Sequence, residues 1–156
     1  DSGDVPYIMI LAGAGMVVGN VVGGKLADQF SPEKTLIVLL LLMAFDLTMV
    51  FFFSANPYVS LFLVFCTGCI AFALIAPIQM LMIQIAVGAE MIASAAIQAA
   101  FNIGNALGAF LGGLPLIAGF SYASPNLVGI GMSLVGVLVT VVLVERRRRI
   151  LKFATV

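Results

Sequence analysis

The sequence predicts an all-α membrane protein that crosses the bilayer about five times. Of its 156 residues, 63% are hydrophobic and 9% are charged, and the mean hydropathy is +1.24. Soluble domains are about 45–50% apolar and about 25% charged, so a soluble chain of this length could not bury so much apolar surface. The charged residues also gather in short clusters, and the long apolar stretches between those clusters suit a lipid environment.

Five apolar stretches are long enough to cross the hydrocarbon core, which takes about 20 helical residues. They cover approximately residues 5–24, 35–54, 58–87, 92–118 and 126–144. We predict helices because backbone groups in lipid must bond within their own segment, and because transmembrane strands would be shorter and alternate in polarity. With a basic cytoplasmic tail at 145–156, the spans form one transmembrane domain over residues 1–156.

The short segments between the spans carry turn-forming residues. Three of them contain a proline dipeptide: Ser31-Pro32, Asn56-Pro57 and Ser124-Pro125. Gly88 and Glu90 separate the third span from the fourth. Because proline disfavours the helical conformation in the residue before it, these positions are expected to end one helix and open the next.

The basic residues predict the orientation of the chain. With five crossings, Lys25 and Lys34 fall on the same side as residues 146–152, which hold the remaining Lys and Arg. By the positive-inside rule that side is cytoplasmic, so the N-terminus lies outside with Asp1 and Asp4. Because the chain starts with Asp and shows no signal peptide, we also expect a fragment or a processed product.

Two of the predicted spans carry glycines at intervals of four residues. The first span has Gly15, Gly19 and Gly23, and the fourth has Gly104, Gly108 and Gly112, followed by Gly113. Small residues let transmembrane helices approach closely, so these stripes predict helix-packing surfaces. Ordinary close packing explains them, and so does a surface along which helices slide or rock.

A polar stripe on the fourth span is a candidate for the solute pathway. Ser94, Gln98, Asn102 and Asn105 follow one another at steps of four, four and three, which places them on one helix face. Carboxamides facing lipid are costly, so this face should meet protein or water. Hydrogen bonding between helices is one interpretation and a pathway for solute is the other.

Two further polar residues lie deep in predicted spans. Gln79 follows Pro77, which should interrupt the third span and open space beside it. Asp46 lies near the middle of the second span, where a carboxyl group is a candidate proton carrier or simply a hydrogen-bonded polar residue. We expect Gln79, Gln98, Asn102 and Asn105 to contact solute.

The composition argues against several other classes of function. The chain has no His, shows no pairing of a nucleophile with a base, and shows no metal-ligand cluster, so we expect neither an enzyme nor a bound cofactor or metal. Cys66 and Cys69 sit within an apolar span, where cysteine acts as a small hydrophobe. A net charge of zero suggests no nucleic-acid partner.

Two sequence motifs resemble those of the major facilitator superfamily. The stretch Gly24-Lys-Leu-Ala-Asp28-Gln-Phe-Ser-Pro-Glu-Lys34 resembles the loop between the second and third helices of each half, G-x-L-a-D-r-x-G-r-[RK], although residues 29 and 31–33 depart from it. The stretch Gly104-Asn-Ala-Leu-Gly108-Ala-Phe-Leu-Gly112-Gly113 is similar to the antiporter motif G-x-x-x-G-P-x-x-G-G, with Ala109 in the proline position. Together with residues 98–109 and 122–125, these motifs resemble the sugar-efflux (arabinose-efflux permease-like) branch of the twelve-helix drug:proton antiporters.

The resemblance implies a partial, C-terminal half of the fold, with the five spans as helices eight to twelve. It implies a secondary transporter in the bacterial cytoplasmic (inner) membrane, which exports a sugar-like or small drug-like solute by proton-coupled alternating access. Gly24, Asp28 and Lys34 would belong to its gating loop. The expected partners are the lipid bilayer, the missing N-terminal half, the solute and protons. The alternative is a transport-inactive fragment with a structural or regulatory role.

Overall fold

A computed structural model describes residues 5–154, including the side chains of 6–147 and 149. The helices are α1 (Val5–Gln29), α2 (Pro32–Phe53), α3 (Pro57–Ala73), α4 (Ile75–Ile85), α5 (Glu90–Ile117) and α6 (Pro125–Ala154). Within residues 5–154 there is no strand. Because α3 and α4 together form one continuous span, five segments are long and apolar enough to cross a membrane. The all-α, five-span prediction is confirmed, while Asp1 and Asp4 lie outside the described residues.

The helices extend further than the apolar stretches do. Helix α1 continues beyond Gly24 to Gln29, and α6 continues beyond residue 144 through most of the basic tail. The expected loop at residues 24–34 is therefore mostly helical, and only Phe30 and Ser31 connect α1 to α2. That expectation was wrong because charged residues can remain helical outside the hydrocarbon core, so α1 continues until the Ser31-Pro32 turn.

Pro77 interrupts the third span, as the sequence predicts. The helix breaks at Leu74, between α3 and α4. Pro77 is fully buried, and its ring crowds the carbonyl of the residue four positions earlier, which is Ala73. Leu74 still donates to the Ile70 carbonyl at 3.2 Å, so the chain continues in the same direction instead of turning back.

Helices α1 and α3 pack so closely that their backbones touch. Gly15, Gly19 and Gly23 lie against the carbonyl oxygens of Phe65, Cys69 and Ala73, respectively. Each pair is 50 positions apart, so the two helices run parallel and in constant register. A Cβ at any of these glycines would collide with the α3 backbone. The carbonyl that Pro77 deprives of its helical partner, that of Ala73, is the one beside Gly23.

Helices α2 and α6 form a second close pair, which is antiparallel. Leu47 of α2 lies against Gly129, and Leu40 lies against Gly136, further along α6. At the end of this pair, Arg147 Nη1 donates to Glu33 Oε1 at 2.5 Å. The start of α2 and the end of α6 therefore lie at the same end of the bundle.

Helix α5 is the least enclosed of the spans. Its buried residues are Ala93 and Ile97. A Cβ added at Gly104, Gly108 or Gly113 would meet no atom within 4 Å, and one added at Gly112 would meet only Pro125, at 3.8 Å. The two glycine stripes therefore differ, because the described part of the chain covers the stripe on α1 and leaves the stripe on α5 open.

We predict that Gly19→Ala destabilises the protein by about 1–3 kcal/mol, the usual cost of overpacking, because its Cβ would press into the Cys69 carbonyl. The matched control is Gly13→Ala, on the same helix, where an added Cβ meets nothing within 4 Å. The measurement is the fraction of detergent-purified protein that remains monodisperse after heating. Equal loss for both variants would contradict the close approach of α1 to α3.

Candidate functional site

A small cavity lies between α4 and α5 and has a partly polar lining. Its volume is about 190 Å³, and it is lined by Gln79, Ile83, Ser94, Ile97 and Gln98. The Gln79 amide comes from α4, two residues beyond the buried Pro77, whereas Ser94 and Gln98 come from the first part of α5. The structure thus brings one polar residue of the third span together with two from the polar stripe of the fourth.

Asn102 and Asn105 do not line this cavity. They lie further along α5, on the face that carries Ser94 and Gln98, and both are exposed. At 1.5 Å per residue the stripe from Ser94 to Asn105 extends about 16 Å, roughly half the thickness of the hydrocarbon core. Unpaired amides in hydrocarbon are costly, so this face requires water or another polar surface opposite it.

Asp46 lies away from this cavity, on α2, where its side chain meets α3. Its side chain is buried, with 5% of its surface exposed, and the Thr67 hydroxyl oxygen lies 2.5 Å from Asp46 Oδ2. The same hydroxyl oxygen lies 2.8 Å from the Leu63 carbonyl oxygen. Nothing in the sequence pointed to Thr67, because the two partners are 21 positions apart and on different helices.

The Thr67 hydroxyl has one proton and two neighbouring acceptors, so it can donate to only one of them at a time. When Asp46 is ionised, the hydroxyl can donate to its carboxylate. When Asp46 is protonated, its own O–H can donate to Thr67, and Thr67 can donate to Leu63. The geometry therefore offers a hydrogen bond to Asp46 in both protonation states.

The junction between α1 and α2 holds the residues expected in the gating loop. Gly24 and Asp28 lie in the last turns of α1, and Lys34 lies in the first turn of α2. The buried hydroxyl of Thr35 donates to the Leu26 carbonyl at 3.2 Å and so ties the two helices together. The sequence did not single out Thr35, because a threonine at the edge of an apolar run is common.

Within the described part of the chain, no three His, Cys, Asp or Glu side chains are placed to hold a metal ion. Cys66 and Cys69 are free thiols, not bonded to each other. Every buried side-chain nitrogen or oxygen that the structure describes has a hydrogen-bond partner. Two sets of described polar side chains are thus brought together from different helices: the amides and hydroxyl beside the cavity, and the Asp46–Thr67 pair.

The chain matches one protein-family profile and is similar in sequence to several known proteins. The Major Facilitator Superfamily profile matches residues 1–155. The chain is 40% identical over 118 residues to the putative transporter AraJ of Escherichia coli (strain K12), covering 74% of this chain and 29% of that protein. It is 35% identical over 125 residues to the inner membrane transport protein YdhP of the same organism, covering 80% of this chain and 32% of that protein.

A relative from another organism is also similar. The uncharacterized MFS-type transporter YtbD of Bacillus subtilis (strain 168) is 32% identical over 117 residues, covering 72% of this chain and 29% of that protein. The matched regions span about a third or less of the length of each of these relatives. No solved structure matches the chain.

We predict that Thr67→Val destabilises the protein by about 1–3 kcal/mol, the cost of leaving a buried polar group without its partner, here Asp46. The control is Thr48→Val, which removes a part-buried hydroxyl that bonds only the Ala44 carbonyl of its own helix. The two variants are compared by the midpoint temperatures of their thermal unfolding in detergent. If Thr48→Val costs as much as Thr67→Val, the link between α2 and α3 contributes nothing specific.

Proposed function

Since the chain belongs to the Major Facilitator Superfamily, we propose that it is the C-terminal part of a secondary transporter that exports a sugar-like or small drug-like solute in exchange for protons. The match to the family profile confirms the sequence resemblance to that superfamily. The observation that carries the proposal is the cavity between α4 and α5, where Gln79, Ser94 and Gln98 meet. Secondary transporters often bind their substrates at breaks in transmembrane helices, and the break at Leu74 lies shortly before Gln79.

The solute pathway follows the polar face of α5. Amide groups both donate and accept hydrogen bonds, which suits a hydroxylated or mixed-polarity solute. Gln79 and Gln98 offer such groups from opposite walls of the cavity, and Asn102 and Asn105 continue the same face. The break at Leu74 supports this placement because it interrupts the helix shortly before Gln79.

Asp46 is the proposed proton carrier. Its hydrogen bond to Thr67 is compatible with the ionised and the protonated carboxyl group, so the proton can leave and return without the pair separating. Asp46 lies between α2 and α3 and is absent from the lining of the solute cavity. Coupling would therefore act through the packing of α3 and α4, which form one span.

The gate is proposed at the α1–α2 junction, with Gly24, Asp28 and Lys34. Asp28 is exposed at the end of α1, where the helix dipole disfavours a carboxylate. A positive group on another part of the carrier, such as the N-terminus of a helix, would remove that disadvantage in one of the two conformations. Asp28 would then bias the equilibrium between them.

The remaining part of the carrier is the proposed partner of α5. The helices α1 with α3 and α2 with α6 form close pairs, whereas α5 shows an open glycine stripe and an exposed polar face. A missing half of the carrier would cover the glycines and complete the solute pathway. The proposed location is a bacterial inner membrane. The end of the bundle that carries Lys25, Lys34 and the basic residues of 146–152, here called the basic end, would face the cytoplasm.

We expect Gln79→Ala and Asn102→Ala in the complete carrier to weaken solute binding about 5- to 10-fold each, as loss of one hydrogen bond would do. The matched control is Gln84→Ala, an exposed amide on α4 that does not line the cavity. Solute binding and uptake are measured in proteoliposomes, separately from folding yield. Wild-type affinity in both variants, with normal folding, would reject the pathway.

The same transport assay tests the gate. Asp28→Asn should slow transport while membrane insertion stays normal, because it removes charge from an exposed position without changing side-chain size. Unchanged transport kinetics would remove Asp28 from the mechanism.

The proposed orientation predicts which ends of the bundle an impermeant thiol reagent can label in intact cells. In a variant with Cys66 and Cys69 replaced by Ala, Ala55→Cys and Tyr122→Cys should react, since both positions are exposed and connect helices at the outer end. Ser31→Cys, exposed at the opposite end, is the control and should not react. Labelling of Ser31→Cys alone would reverse the orientation.

A further inference from the structure

The groove between α1 and α2 is a second feature of the basic end of the bundle, separate from the solute cavity. Its volume is about 370 Å³ and its accessible lining is apolar. The lining residues are Leu26, Phe30, Lys34, Thr35, Val38, Leu39 and Leu42. From Lys34 to Leu42 the groove follows α2 for about 12 Å from the charged end towards the middle of the membrane. Its apolar lining and its direction along the bundle suit an alkyl chain.

A second cavity of about 480 Å³ lies beside this groove, where the start of α2 meets α4 and α6. Its lining is mixed, and we name it the polar cavity for the charged and amide residues that the groove lacks. It is lined by Ser31, Pro32, Glu33, Lys34, Ile37, Gln84, Val144 and Arg147. Lys34 is the one residue that lines both spaces. A molecule with a polar head and an apolar chain could therefore occupy both at once, with its head beside the Lys34 ammonium.

The charges at this end favour an anionic head. Among the described residues, no carboxylate lies within ion-pair distance of Lys34. Arg147 does pair with Glu33, but the bond uses only Nη1 and leaves other guanidinium donors available. The helix ends on this side, together with the last turns of α6, carry the seven basic residues of the sequence and four acidic ones, Asp28, Glu33, Glu90 and Glu145. The polar cavity thus lies in a region of excess positive charge.

We propose that this end of the protein binds one anionic phospholipid, with its phosphate at Lys34 and Arg147 and one acyl chain in the groove between α1 and α2. Lipid supplies both chemistries that the two spaces require, whereas a free phosphate would use only the polar one. The site differs from the general attraction of a basic tail to an anionic leaflet, because it depends on one lysine at the junction of two cavities. Its occupancy can be measured in the absence of solute.

The test is native mass spectrometry of the complete carrier, purified and then mixed with dioleoyl phosphatidylglycerol or dioleoyl phosphatidylcholine. The wild-type protein should retain phosphatidylglycerol preferentially. Lys34→Gln keeps an apolar stem but loses the charge, and should lower that retention about fivefold. Lys25→Gln is the matched control, because Lys25 is an exposed lysine at the same end that lines neither space.

A second variant examines the groove itself. Val38→Phe leaves every charge in place and fills the apolar groove, so it should also lower retention of phosphatidylglycerol. Equal losses in Lys34→Gln and Lys25→Gln would show diffuse charge attraction and overturn the site. Unchanged retention in Val38→Phe, or displacement of the lipid by inorganic phosphate, would overturn the acyl-chain position. Because retention is measured without solute, failure here is distinct from failure of the proposed transport function.

Discussion

The closeness of α1 to α3 is the constraint on which the rest of the structure depends. Lipid supplies no hydrophobic force that drives transmembrane helices together, so they associate through packing and short polar contacts. Three glycines without Cβ atoms let the α1 backbone meet successive carbonyl oxygens of α3 in one register. Such close approaches permit Cα–H···O contacts of about 0.5–1 kcal/mol each. The last of these contacts places Gly23 against Ala73, one turn of helix before Pro77 and close to the α4 residues that line the cavity.

The second helix pair is joined to the first by a polar contact. The antiparallel packing of α2 on α6 uses leucine side chains against glycines, together with an ion pair at one end. The Asp46–Thr67 hydrogen bond then joins α2 to α3. A polar link at this depth has a large effect, since a buried group without a partner is costly. The two pairs are thus connected where the sequence places its one carboxylate in the middle of a span.

The sequence was sufficient for features that depend on local chemistry. Long apolar stretches define the spans, proline dipeptides define the turns, and Pro77 predicts the break at Leu74. The helix ends were harder because hydropathy marks the edge of the hydrocarbon, whereas α1 and α6 stay helical in the polar region beyond it. Contacts between distant residues, such as Thr67 with Asp46 and Arg147 with Glu33, leave no periodic signal. The spacing of the two glycine stripes is identical, so it could not show that one is covered and the other open.

The exposed face of α5 connects packing to function. A lipid-facing helix needs neither amides nor a stripe of glycines, yet α5 carries both and buries little of its surface within this chain. The cost of placing amides in hydrocarbon is removed only if water or polar protein lies opposite them. Water along one stretch of that face and a closely packed helix along the glycines would satisfy both features together. That combination would suit the carrier proposed above, because a surface that parts and closes again can use small residues for contact and polar groups for the solute.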